Sequence, residues 1–91
     1  MAIKYTKRFL NKLEDLMAES PYHLRYEKGS FKSGYCILND RKIAIINKYF
    51  TLEGKINCLI EIIQSIDLEA EQLSEKNKSL FFELGQTEMH L

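Results

Sequence analysis

Glu61 is the residue of this chain best placed for acid–base chemistry. It stands in Ile60-Glu61-Ile62-Ile63-Gln64, inside a stretch whose apolar spacing predicts a helix over 52–66. On that helix Asn57, Glu61 and Gln64 share the polar side, so one acid and two amides form a strip. Such a strip could hold a peptide or a small polar ligand. The same residue types also make an ordinary solvated helix face. Positions 60 and 64 stack on one face, where two imidazoles could share a metal ion and Glu61 could activate its bound water. Ile60 has no donor atom, and the neutral amide of Gln64 binds zinc weakly. His23 lies far upstream and His90 lies in the tail. Three or four good ligands cannot be assembled, so the expectation is no metal, no cofactor and no catalysis of this kind.

Other constellations are thinner. Cys36 and His23 could be drawn as nucleophile and base, but nothing supplies an orienting third group, and Cys36 reads as an inward strand residue. Ser33-Gly34 lacks the flanking glycines of a nucleophile elbow, and the four glycines are too scattered to cradle a phosphate. Tyr22, Tyr26, Tyr35 and Tyr49, near Arg25, Lys32 and Lys48, could stack on single-stranded nucleic acid. Zero net charge argues against that use, and strand tyrosines commonly serve packing.

The elements that must position these residues follow from periodicity. The chain has 91 residues, 45% hydrophobic and 29% charged, which suits one globular domain, 1–91. Phe9, Leu10, Leu13, Leu16 and Met17 make one stripe of a helix over 3–18, with Thr6 as a candidate N-cap and Pro21 as its stop. Residues 22–27 alternate, with Tyr22, Leu24 and Tyr26 on one side and His23, Arg25 and Glu27 on the other. Gly29-Ser30 reads as a turn, followed by strands over 33–38 and 42–48. A tight turn at Asp40-Arg41 pairs Leu38 with Ile43, Ile37 with Ala44, Cys36 with Ile45 and Tyr35 with Ile46. Both faces of that hairpin are then apolar, so each should be covered, by helices or by a second subunit.

Thr51 caps the 52–66 helix, whose apolar arc holds Leu52, Ile56, Leu59, Ile60, Ile62, Ile63 and Ile66. After a bend near Asp67, residues 68–72 extend the helical pattern. Ser74 or Asn77 caps a last helix ending at Leu84 before Gly85, with Leu73, Leu80, Phe81 and Leu84 as its stripe. Residues 85–91 have little pattern and are expected to fray.

Cys36 and Cys58 fit neither a disulfide framework nor a zinc ribbon, and are read as small buried reduced thiols. No apolar run reaches the ~20 residues of a bilayer span, and the N-terminus has no signal-peptide pattern. A cytoplasmic protein without membrane contact is expected. Charge is uneven: residues 1–48 carry ten basic and five acidic groups, residues 49–91 three basic and eight acidic. Attraction between the halves explains this, as would head-to-tail self-association or binding of an anion.

Gly34-Tyr35-Cys36, the run Lys42 to Asn47, and the helix holding Ile60 to Gln64 resemble the core of compact zinc peptidases with a His-Glu-x-x-His helix, the zincins of the ImmA/IrrE kind. The resemblance covers about a third of the chain. In that family a strand edge holds the peptide substrate, two histidines bind zinc and the glutamate acts as general base. Only the glutamate is matched here, at Glu61. The resemblance therefore implies a degenerate scaffold, not an enzyme. The expected fold is α+β, order α-β-β-β-α-α, with a small antiparallel three-stranded sheet. The expected function is non-catalytic binding of a protein or peptide, with a homodimer as one form. The alternatives are an enzyme with an unrecognised peptidase-like site and a weak nucleic-acid binder using the basic half.

Overall fold

Helix α1 (Lys7–Ala18) starts at Thr6, whose hydroxyl accepts the Phe9 amide at 3.1 Å. The helix therefore starts about a turn later than the expected residue 3: the cap acts where an extended Thr6 ends the preceding chain. Phe9, Leu10, Leu13, Leu16 and Met17 form the expected stripe, and all five are buried. The computed structural model describes residues 3–28 and 34–86. The expected turn at Gly29-Ser30 and the tail from 87 onward lie outside the described residues.

Strands β1 (His23–Glu27), β2 (Tyr35–Leu38) and β3 (Ile43–Asn47) form one sheet in the order β1-β3-β2. The hairpin register is the expected one, from Tyr35 opposite Ile46 to Leu38 opposite Ile43. The turn spans Asn39 to Lys42, and Lys42 takes a left-handed conformation with φ of 54°. The purely antiparallel sheet is corrected. β1 pairs with β3 in parallel, with His23 beside Ile43 and Glu27 beside Asn47. β1 and β2 take the two edges, which leaves the middle place to β3. That suits Ile43-Ala44-Ile45-Ile46, the most continuously apolar strand, because a central strand has neighbours on both edges.

Helix α2 (Leu52–Ser65) is capped by Thr51, whose hydroxyl accepts the Gly54 amide at 3.0 Å. Ile56, Cys58, Leu59, Ile60, Ile62 and Ile63 are buried on it. Leu52, expected in the apolar arc, is exposed at the first turn. The helix stops at Ile66, which is extended, and the expected continuation over 68–72 is a single 3-10 turn, Ala70–Gln72. Helix α3 (Glu75–Gln86) runs past Leu84 and through Gly85, so Gly85 does not end it.

The helices lie on one face of the sheet. α1 packs on β1 and α2, α2 packs on β3, and α3 packs on both helices. Ala44 and Ile46 enter the core, with Leu24, Tyr26, Tyr35 and Ile37 packed against it. A polar clasp joins α3 to α1. Glu19 Oε1 accepts the Ser74 amide at 2.8 Å, and the buried Asn77 donates from Nδ2 to Asp15 Oδ2 at 3.2 Å. Lys76 stands 3.4 Å from the same Asp15 oxygen.

Candidate functional site

The strip Asn57–Glu61–Gln64 lies on the outer side of α2, and its members have separate attachments. Asn57 is half-buried and its Oδ1 accepts the Tyr5 hydroxyl at 2.9 Å. Gln64 donates from Nε2 to the Leu84 carbonyl at 3.1 Å, tying α2 to α3. Glu61 is exposed between them, and its carbonyl accepts the Ser65 hydroxyl at 2.6 Å. The two amides are thus engaged in holding the N-terminal segment and α3. Gln64 also borders a cavity of about 560 Å³, but its companions there are Ile63, Ile66, Phe81, Phe82, Leu84 and Gly85, an apolar set without an acid or a base.

Ile60 is fully buried in the core, so the α2 face that would need a metal ligand at position 60 is turned inward. Among the described residues no three His, Cys, Asp or Glu side chains come together as metal ligands would. The Cys58 thiol sits in the same core. Burial first, and the charge of Glu61 second, push its pKa up, which disfavours the thiolate.

Cys36 is not an inward residue, as the sequence suggested. Register alternation puts Tyr35 and Ile37 on the helix side and Cys36 and Leu38 on the other, where Cys36 is half-buried. His23 is on that same outer face, but β3 lies between its strand and that of Cys36, so the pair is not in nucleophile–base contact. Of the four tyrosines weighed for stacking on nucleic acid, Tyr22, Tyr26 and Tyr35 pack in or against the core, as strand tyrosines were read to do, while Tyr49 is exposed. The Tyr22 ring is buried, and its hydroxyl donates to Asn39 Oδ1 at 2.7 Å. Tyr26 faces the core and donates to Glu14 Oε2. Burial first, then the bond to Glu14 and its charge, hold the Tyr26 phenol far above its usual pKa.

The outer face of the sheet is the second apolar side that the hairpin pattern led one to expect. Its centre is a block of four apolar residues in register, Cys36 beside Ile45 and Leu38 beside Ile43. All four are half-buried, and they do not belong to the core cluster on the helix side. Sheet neighbours cover their flanks, while no helix among the described residues packs over their tips. On the β1 side the block is bordered by His23, Arg25 and Glu27, with Arg25 Nε 2.8 Å from Glu27 Oε2. The signal for this face was present in the sequence as a hairpin apolar on both sides. Of the two covers expected, helices or a second subunit, α1 and α2 supply only one side: both pack on the same face.

These elements define an α+β domain in which α1 and α2 pack on one face of a three-stranded mixed sheet and α3 packs on those two helices. No family model matches the chain, and no curated protein or solved structure matches it. Among the described residues no helix is long and apolar enough to cross a membrane.

Proposed function

We propose that this protein is a non-catalytic protein-binding domain that docks its partner on the helix-free face of the sheet. The observation that carries the reading is the block of Cys36, Leu38, Ile43 and Ile45, apolar, in register and without a covering element among the described residues. A sheet face exposed to water alone would alternate, with polar residues outward. Here β3 presents Ile43 and Ile45 outward as well as Ala44 and Ile46 inward. Two apolar faces suit a sheet that meets its own helices on one side and another molecule on the other.

The zincin-like resemblance enters this reading as ancestry. α2 keeps the glutamate as Glu61, while Ile60 serves the core and Gln64 ties α2 to α3. A scaffold with that helix retained for packing can keep a binding role without chemistry.

The test compares the wild-type chain with Ile45→Asp and Glu61→Ala as baits. A protein retained by the wild type and by Glu61→Ala, and lost by Ile45→Asp, is the expected result. Equal retention by all three sinks the docking face. Loss with Glu61→Ala alone moves the binding surface to α2, and stoichiometric zinc in the purified protein overturns the non-catalytic part.

A further inference from the structure

β1 is an edge strand, paired with β3 on one side and open on the other among the described residues. The His23 amide donates to the Lys42 carbonyl at 2.8 Å, and the Lys48 amide donates to the Glu27 carbonyl at 3.0 Å. Backbone groups along a strand point alternately to its two sides, so His23, Arg25 and Glu27 direct theirs to β3. The amides and carbonyls of Leu24 and Tyr26 point the other way. None of these four groups has a partner among the described residues. At Tyr22 the edge is closed off, because the Ser20 hydroxyl accepts the Tyr22 amide at 3.1 Å. No proline or bulge blunts the edge within β1.

Beside this edge lies a cavity of about 450 Å³ between β1 and α1, within the ~300–1,000 Å³ of ordinary ligand clefts. The two elements run in opposite senses along it. Ser20 bonds both the Met17 carbonyl and the Tyr22 amide at one end, and Glu14 accepts the Tyr26 hydroxyl at the other. Met17 and Ala18 therefore wall the Leu24 end, and Glu14 walls the Tyr26 end. His23 borders the cavity at the start of β1, away from Glu14. Leu24 and Tyr26 are half-buried on this helix side. An antiparallel strand added to β1 would exchange both bonds with Leu24 and both with Tyr26, and its side chains opposite those residues would enter the groove.

The charge in the groove selects the strand. Glu14 is half-buried, and its bonded partner is the neutral Tyr26 hydroxyl. Its neighbours one turn away on α1 are Leu10, Asn11, Met17 and Ala18, none of them a cation. Lys55 stands over the Tyr26 ring at 5.5 Å, and no ion pair among the described residues includes Glu14. A half-buried carboxylate without a cation favours a ligand that brings one. A second copy of β1 does not. The register in which two copies use all four free groups sets Leu24 opposite Tyr26 and Arg25 opposite Arg25, which faces like charges and leaves Glu14 unmatched.

We infer that the open edge of β1 takes up an extended peptide as a fourth, antiparallel strand, with a Lys or Arg side chain opposite Tyr26 reaching Glu14 and, two residues later, an apolar side chain opposite Leu24 over Met17 and Ala18. The backbone bonds supply the attachment and the two pockets supply the selection. This site is separate from the helix-free face, and Glu61 lines no part of it. A ligand held by one short strand is bound weakly and reversibly.

The test is an NMR and hydrogen-exchange titration of the isotope-labelled protein with blocked peptides of about seven residues. One carries Lys two residues before Val in a Thr background. The second has Glu in place of that Lys. The third keeps the first sequence with N-methyl groups on the Lys and Val amides, which removes two donors. In the free protein the Leu24 and Tyr26 amides are expected to exchange quickly and the Arg25 amide slowly. The Lys peptide should shift the signals of Met17, Leu24 and Tyr26 saturably. At about ten times its Kd it should slow exchange at Leu24 and Tyr26 about tenfold. It should bind about tenfold tighter than the Glu peptide at low salt, a ratio that falls toward one in Glu14→Gln. The N-methylated peptide should not bind measurably. If Glu14→Gln does not fold, the three peptides on the wild type still decide the matter.

Binding of the N-methylated peptide as tight as that of its parent overturns strand addition, and equal affinity of the Lys and Glu peptides overturns the pairing with Glu14. Shifts centred on Cys36 and Ile45 overturn the inference by moving the peptide to the helix-free face. Protection of Leu24 and Tyr26 that grows with protein concentration alone overturns it in favour of a second copy. Absence of shifts from the Lys peptide overturns it outright. The docking-face reading stands or falls separately, on Ile45→Asp.

Discussion

The edge of the Phe50 ring lies where a side chain on Gly34 would have to stand. Gly34 opens β2 with φ of +86°, a left-handed conformation that costs an L-residue about 1–2 kcal/mol. The ring also rests against Gly54, in the first turn of α2. One phenyl ring thus locks the start of the hairpin to the start of the helix. Gly34→Ala must meet both the backbone strain and overlap with a packed ring. Denaturant unfolding should show a loss of about 2–4 kcal/mol. A loss below about half a kcal/mol would mean that Phe50 swings away freely.

Ile60 and Glu61 are adjacent in the chain and opposite in consequence. Ile60→Ala empties part of a fully buried site and should cost about 2–5 kcal/mol. Glu61→Ala, on the exposed side of α2, should stay within about 0.5 kcal/mol. The double change Ile60→His with Gln64→His, which writes the zinc-helix pattern into this chain, should destabilise the fold instead of yielding stoichiometric zinc. Metal analysis of the soluble variant decides the point.

Glu19 links stability to acid. The Ser74 amide first, and the Asn77 side chain second, hold its carboxyl below the ordinary value. A carboxyl lowered in the folded state contributes stability above its unfolded pKa, and that contribution is lost as pH falls through the folded pKa. The decline in midpoint denaturant below about pH 4.5 should be shallower in Glu19→Gln than in the wild type. Parallel curves for the two proteins would show that the clasp does not depend on charge.

Tyr26 gives the alkaline counterpart. Its raised phenol pKa means that the unfolded chain ionises first, near pH 10. Its contribution is intact below that value and lost as pH rises beyond it. Ultraviolet difference titration should find a tyrosine that ionises only with unfolding, absent from Tyr26→Phe. A phenol titrating normally in the folded protein would contradict the burial against Glu14.

The two cysteines should separate cleanly. A maleimide applied to the native protein should modify Cys36 on the outer face and reach Cys58 only after denaturation. Peptide mapping of the labelled protein reads the order. Early labelling of Cys58 would show that α2 opens readily.

Local pattern carried much of this fold. Thr6 and Thr51 are caps that announce themselves, and the Leu and Ile stripes of α1 and α2 state which faces are buried. The register of the β2–β3 hairpin followed from its turn. Strand order did not, because β1 and β3 meet across 20 residues and alternation records which face a residue takes without recording its neighbours. The clasp of Asp15 and Glu19 with Asn77 and Ser74 was hidden for the same reason. At the candidate site, Asn57, Glu61 and Gln64 were placed correctly on the polar side of α2. That Tyr5 and the Leu84 carbonyl engage the two amides is tertiary information. Cys36 was assigned to the wrong face because an apolar hairpin can be turned either way until something covers it.

The central place of β3 also sets an order of events during folding. The β2–β3 hairpin closes over a short loop, with Leu38 and Ile43 five residues apart. β1 can pair only after β3 is laid down, since its partners stand 20 residues along the chain. We expect the local hairpin to form before β1 joins it; in the folded state β1 is also the strand on which α1 packs. Changes in the hairpin, such as at Ala44, should slow folding, while changes at Leu24 should mainly speed unfolding. In that order the outer block of Cys36, Leu38, Ile43 and Ile45 would be assembled before α1 reaches the opposite face. A hairpin apolar on both sides is then the segment that most needs early cover, and aggregation during refolding should fall when Ile45 is made polar.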